Sequence, residues 1–481
     1  MPWSFHHIRK MVSILVVMMV LLIFASSKAI ENPSTYIVGN LTYVILEDGT
    51  AEITKYTGTE SEIIIPDTLK GALVTSIGPK AFRRNYTTLS IPASIKNIDS
   101  TALSMFERVF IDPDNQYFTS EDGIVFDKAK KTLLHCHIPD KVYQVPDGIE
   151  TIGKCAFAYS SLEYINLPDS VTTISDKAFT GCQKLKTVSL PATLKTIGDY
   201  AFSDCWSMQT IDLPDNLNAI GNYVFYSSGL INISLPDSLT YIGTNAFDTC
   251  VDLVTVKLPA TLEAISNSMF FYCKSLENIQ LPESVAYIGE YAFANCDKLK
   301  SIIIPPNVEF IGACALKGLV LSSITVHPNN SFFTVVDNVL FSKDMTELVC
   351  YPLGVDKKTY TIPNGVNTIS EHAFSHNRHL KTVQIANTVK EIQDHAFWNC
   401  SSLEIIDIPE SVTSIGRLAF ASCDYLRTII IPSSVIYIGD EAFRDCGHFV
   451  EESFRELYVE ENSYAYQYAK QHAPLNSYSW K

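Results

Sequence analysis

A proline recurs every 22 or 23 residues through much of this chain, at Pro146, Pro168, Pro191, Pro214, Pro236, Pro259, Pro282 and Pro305. The series resumes at Pro363, Ala386, Pro409 and Pro432. Around each anchor the phrase reads like "LKTVSLPATLKTIGDYAFSDC", with apolar residues at Leu185, Val188, Leu190, Leu194, Ile197, Ala201 and Phe202. One such unit cannot bury its own apolar side, so units must stack and the chain must grow as a solenoid. A rod that lengthens without thickening also accommodates 481 residues, more than one compact core spans.

Within a coil, "LKTVSL" alternates around Val188, Ser189 and Leu190 before proline ends the ladder, which predicts a short strand. Successive strands then align in parallel about 4.8 Å apart, and matching side chains form ladders. "IGDYAFSDC" returns the chain as an irregular or briefly helical arm, with Gly198 permitting the turn. The expected fold is an α/β-type but strand-dominated repeat solenoid, with coils of about 23 residues and one parallel sheet.

Two longer units interrupt the period and copy each other, one from Ile111 and one from Val326. Each carries an aromatic pair, an Asp-Gly or Asp-Asn turn and an apolar strand, which predicts hairpin excursions at about 111–145 and 326–362. The excursions separate an N-terminal cap, a middle block and a C-terminal block. "NSYAYQYAKQHA", residues 462–473, begins with cap-type Asn462 or Ser463 and spaces Tyr464 and Tyr468 for a helix that covers the last apolar face.

The phrase "LPDSVTTISDKAFTGCQKLKTVSLP" resembles the leucine-rich repeat of the BspA type, found in secreted and surface proteins of bacteria and some mucosal protists. The resemblance runs over nearly all of residues 40–460, and "YVILEDGTAEITKYTG" resembles the hairpin that often opens such domains. It implies a cap over 30–65, a leucine-rich solenoid over 66–456, and a C-terminal strand with a capping helix over 457–481. It also implies surface attachment or contact with host or matrix components.

The N-terminus carries His7, Arg9 and Lys10, then an apolar stretch of about 15 residues, "MVSILVVMMVLLIFA", then a small-residue exit ending at Ala29. That order fits a secretory signal over 1–29 better than a span of about 20 residues, so a secreted or cell-surface protein is expected. With 52 acidic against 36 basic residues and no basic run, the chain lacks the footprint of a nucleic-acid binder.

Eight of the 12 cysteines share one offset: Cys182, Cys205, Cys250, Cys273, Cys296, Cys400, Cys423 and Cys446. From Phe157 to Leu162 and from Phe225 to Leu230 the interval is one residue shorter than from Phe179 to Leu185, and the reading is that the cysteine itself is deleted. Buried packing thiols are the expectation. Parallel Cβ vectors make poor disulfides, and a row of thiols does not converge on one metal. His372, His376, His379 and His395 cluster near Glu371 and Asp394, a set that could take a divalent ion but reads first as solvated arm residues. No metal or cofactor site is therefore expected. No nucleophile elbow, P-loop, HExxH or dinucleotide fingerprint occurs, so no enzyme is expected either.

Function is expected on the outward strand positions: Tyr164 and Asn166, Thr187 and Ser189, Thr210 and Asp212, Asn232 and Ser234, Thr255 and Lys257, Asn278 and Gln280. Stacked, they offer a polar sheet for multivalent hydrogen bonding to an extracellular protein or glycan, or simply a solvated face. Farther on, Ile405 and Ile430 take outward positions and suggest an apolar contact. A structural spacer of the cell envelope is the alternative reading, and a metal-dependent hydrolase using the histidines a distant third.

Overall fold

The computed structural model describes residues 34–137, 139–426, 428–446 and 456–472. The expected signal lies outside them. Among the described residues no helix is long and apolar enough to cross a membrane. The chain is a strand-dominated solenoid in which, among the described residues, helix is confined to Ser100–Leu103 and Tyr464–His472.

Most coils contribute to two strand ladders rather than the one expected. The first uses segments such as Tyr164–Asn166 and Thr187–Ser189, paired in parallel with Ile165 opposite Val188. The second uses two-residue strands, with Thr173–Ile174 on Thr196–Ile197 and that strand on Ala219–Ile220. The short β-branched alternation in "KTIG" suffices for this second ladder: Thr196 faces water and Ile197 the core.

The return arm is hydrogen-bonded too. Lys177, Phe179 and Gly181 donate their amides to the carbonyls of Asp199, Ala201 and Ser203 in the next coil, at 2.7–2.8 Å. Two left-handed residues four apart frame the arm, as at Tyr200 (φ 57°) and Asp204 (φ 56°). They turn every second amide toward the next coil, which a helix would not do.

Gly198 does not serve the arm through its φ. A Cβ there would lie 2.6 Å from the Asp176 amide nitrogen and 2.8 Å from the Ser175 carbonyl carbon. The residue is glycine because adjacent coils touch backbone to backbone at this corner. The Asx side chain that follows completes the contact: Asp176 Oδ1 accepts the Asp199 amide at 3.0 Å, and Asp199 Oδ1 accepts the Asn222 amide at 2.7 Å.

Inside, phenylalanines form a continuous stack. Phe157, Phe179 and Phe202 lie 5.0 and 5.1 Å apart with interplanar angles of 6° and 1°, and the series continues through Phe293. It starts again at Tyr351 and runs to Phe443. In the intervening coil Leu316 takes the aromatic position.

The opening residues form antiparallel strands Thr35–Val38, Leu41–Ile45 and Ala51–Tyr56, the last continuing in parallel onto Ala72–Ile77. Strands Phe118–Glu121, Ile124–Asp127 and Thr132–His135 pair antiparallel before the last rejoins the stack beside Thr151–Ile152. Phe333–Val336, Val339–Ser342 and Glu347–Cys350 repeat the arrangement beside Thr368–Ile369. Their turns, Asp122-Gly123 and Asp337-Asn338, have both residues at positive φ, as a two-residue hairpin requires. At the far end Ser463 Oγ accepts the Tyr466 amide at 3.1 Å and so caps the final helix. That helix buries Ala465, Tyr468 and Ala469 against the last coil.

Candidate functional site

The repeated cysteine is a structural donor. Cys182 Sγ donates to the Phe157 carbonyl of the preceding coil at 2.9 Å, and Cys250, Cys273, Cys400 and Cys446 make the same bond at 3.0–3.1 Å. All 12 cysteines are free thiols. Burial pushes the Cys182 and Cys250 thiols up to about 12, so they stay protonated and unreactive. The short coils do not delete this residue. Ser160 and Ser228 occupy the cysteine's place, three positions after Phe157 and Phe225 and equally buried. The lost residue belongs to the turn that follows. In these coils serine fills the buried place that cysteine fills elsewhere, with Ser160 Oγ accepting the Leu162 amide at 3.3 Å and Ser228 Oγ lying 3.3 Å from Cys250 Sγ.

The outward strand residues are all exposed: Tyr164, Asn166, Thr187, Ser189, Thr210, Asp212, Asn232, Ser234, Thr255, Lys257, Asn278 and Gln280. They do not form one unbroken sheet. Val142–Gln144, Tyr164–Asn166 and Thr187–Ser189 form one three-stranded ladder, and Asn232–Ser234, Thr255–Lys257 and Asn278–Ile279 form another. Between them Thr210–Asp212 adopts no strand. The break lies beside a shortened turn in which Gly229 packs directly on the Trp206 carbonyl, where a Cβ would lie 1.9 Å away.

The break opens a groove of about 630 Å³ on the strand face, lined among others by Thr210, Asp212, Asn232, Ser234, Thr255 and Lys257. Thr255 Oγ1 donates to Asn232 Oδ1 at 2.5 Å within it, while Asp212 and Lys257 carry opposite charges on its walls. Neither is held in a salt bridge among the described residues. Two coils before the groove, Glu163 is clamped at 2.7 Å by both Lys141 and Lys186, which hold its carboxyl down at about 2.

Ile405 and Ile430 are 54% and 51% exposed but do not share a rung. Ile405 pairs with Thr428, which sets Ile430 opposite Asp407. Polar partners thus interrupt the apolar line.

The histidine group is more ordered than a solvated arm. His372 and His395 stack at 4.5 Å with an interplanar angle of 6°, and His376 packs edge-on to Trp398 at 4.7 Å. Burial, then the nearby Lys317 cation, holds the His372 imidazole down at about 2 and that of His376 at about 4. Asp394 is already engaged, its Oδ1 accepting the Arg417 amide at 2.7 Å. What the sequence left unseen is Cys314, which lies outside the cysteine ladder yet meets Glu371 and His372. The available signal was the irregular phrase "GACALKGL", where leucine replaces the stacked phenylalanine.

The repeat profile of a known family agrees with this architecture. The profile of the BspA type leucine-rich repeat region (6 copies) matches residues 28–149, 150–276, 219–347 and 354–471. Among solved structures, a leucine-rich repeat protein from Bacteroides ovatus is 20% identical over 93% of this chain and 99% of its own, with a TM-score of 0.45. A leucine-rich cell surface protein from Faecalibacterium prausnitzii is 25% identical over 94% and 96%, with a TM-score of 0.31. The pneumococcal vaccine antigen PcpA is 18% identical over 93% and 99%, with a TM-score of 0.42. No curated protein sequence matches significantly. With the repeat profile spanning nearly all of the described coils, the chain belongs to the BspA-type leucine-rich repeat family.

Proposed function

We propose that this protein is a secreted or cell-surface binding protein that holds an extracellular protein or glycan on its strand face, centred on the groove between Thr210 and Lys257. The observation that carries the reading is the groove itself. Strand pairing stops at several points along the rod, but here a groove opens beside the stop, and adjacent coils line it with hydroxyl, amide, carboxylate and ammonium groups next to apolar side chains. Such a mixture suits hydrogen bonding to a hydroxyl-rich or peptide-like partner, with the charges setting orientation. Repeat scaffolds of this family supply surface rather than catalytic machinery, and no acid, base and nucleophile converge in the groove. The apolar exposure of Ile405 and Ile430 adds a secondary contact, tested by changing both to Asp.

The test is to probe an array of glycans and extracellular-matrix proteins with the purified chain and with the double variant D212K/K257E. A saturable hit weakened at least ten-fold by the charge reversals is expected. A hit indifferent to them, or none on any class, contradicts the reading.

A further inference from the structure

Between Phe293 and Tyr351 the phenylalanine stack is interrupted, and the arm bearing Cys314 and Leu316 makes no backbone hydrogen bond from those two amides to the arm that follows. The interruption leaves a cavity of about 440 Å³, lined among others by Cys314, Lys317, Glu371, His372, Ser375 and Gln393. Ligand atoms of Cys314, Glu371 and His372 all lie within 4.8 Å of one another there. Cys314 and His372 are 5% and 9% exposed.

We propose that Cys314, Glu371 and His372 form a binding site for one divalent transition ion of the zinc type. Thiolate, imidazole and carboxylate are the donor classes such ions take, and three protein ligands leave a fourth position open to the cavity. A tetrahedral ion needs donors about 3.3–3.7 Å apart, given metal–ligand distances of about 2.0–2.3 Å. Glu371 Oε1 is already 3.8 Å from His372 Nε2, so side-chain shifts of about 1 Å close the set. The scaffold favours those shifts little elsewhere: His395 stacks on His372 and fixes its plane, and the left-handed backbone of both Cys314 and His372 (φ 57° and 59°) fixes where they start. On binding, the Cys314 thiol gives its proton to solvent. Thiolate and carboxylate together then neutralise the dication, leaving Lys317 and Arg417 balanced by Glu290 and Asp394 nearby.

The experiment is titration of the full chain, reduced and stripped with a chelator, first with Co²⁺ and then with Zn²⁺. One equivalent of Co²⁺ should produce a near-ultraviolet thiolate-to-cobalt band with tetrahedral visible bands, and Zn²⁺ should displace it. C314S should abolish the near-ultraviolet band and weaken binding at least ten-fold, while C273S, in the ladder, should leave it unchanged. E371Q should keep the band and weaken binding about ten-fold. Absence of the band in the native protein, or its survival in C314S, overturns the proposal. Should C314S fail to fold by circular dichroism, unchanged affinity in E371Q overturns it instead.

Discussion

At the scale of single residues, the repeat is held by side chains chosen for what the neighbouring coil leaves open. Cysteine at one offset supplies a buried donor to a phenylalanine carbonyl, and glycine at another admits a neighbouring backbone. The glycine case gives a sharp contrast. At Gly289 a Cβ would meet the Asn267 amide nitrogen at 2.6 Å and the Ser266 carbonyl carbon at 2.7 Å, neither of which can rotate away. Gly289→Ala should therefore destabilise the surrounding coils by about 2–4 kcal/mol. Gly148, at φ +89° with nothing within 4 Å of its Cβ position, should cost only about 1–2 kcal/mol as alanine, from the left-handed backbone alone. Denaturant unfolding of the two variants separates these values. A second residue-scale outcome concerns acid. His135 is 2% exposed, and burial, helped by the neighbouring His137, holds its imidazole down at about 3 against a usual 6.5. Above pH 6.5 both folded and unfolded chains carry it neutral. As pH falls from about 6.5 toward 3 only the unfolded chain takes the proton, so stability drops by up to about 1.4 kcal/mol per pH unit. Hydrogen exchange of residues 132–152 should show this slope, and His135→Asn should flatten it.

At the scale of elements, the strand, the arm and the final helix were legible to different degrees. The strand Thr187–Ser189 and the helix Tyr464–His472 could be read because alternation and cap chemistry are local signals. The second ladder at Thr196–Ile197 was not, because two residues carry too little pattern and only coil stacking makes them a strand. The role of Gly198 was misread for the same reason, since its constraint comes from Asp176 in another coil. The groove could not be foreseen at all: Thr210–Asp212 keeps the repeat phrase, yet its pairing is lost, and only the three-dimensional stack shows it. The C-terminal helix offers a test of how one element ends a solenoid. Tyr468 OH accepts the Ala442 amide at 3.0 Å and its ring packs edge-on to Phe443 at 6.3 Å. Tyr468→Ala should cost about 3–5 kcal/mol in the last coil and raise hydrogen exchange over residues 437–446, with little change near residue 250.

At the scale of the molecule, the two excursions divide the buried core into three clusters, Leu41–Val125, Phe126–Leu340 and Val339–Tyr468. Both boundaries fall inside excursion strands, where alternate residues point to opposite sides: Val125 serves one core and Phe126 the next, and later Leu340 serves the middle core and Val339 the last. Unfolding should proceed in more than one step, with loss of the Val339–Tyr468 cluster separable from loss of the middle cluster in calorimetry. A single two-state transition would show that the excursions couple the blocks rather than divide them. Along the rod the strand ladder is interrupted at several points, and the groove beside Thr210–Asp212 is the interruption on which the binding reading rests. The most direct measurement of that reading compares the native chain, D212K/K257E in the groove, and K274E on the arm for binding to a partner found on the array. Loss of at least ten-fold in the groove variant with K274E unchanged is the predicted result; equal binding by all three, with every variant folded, would contradict it.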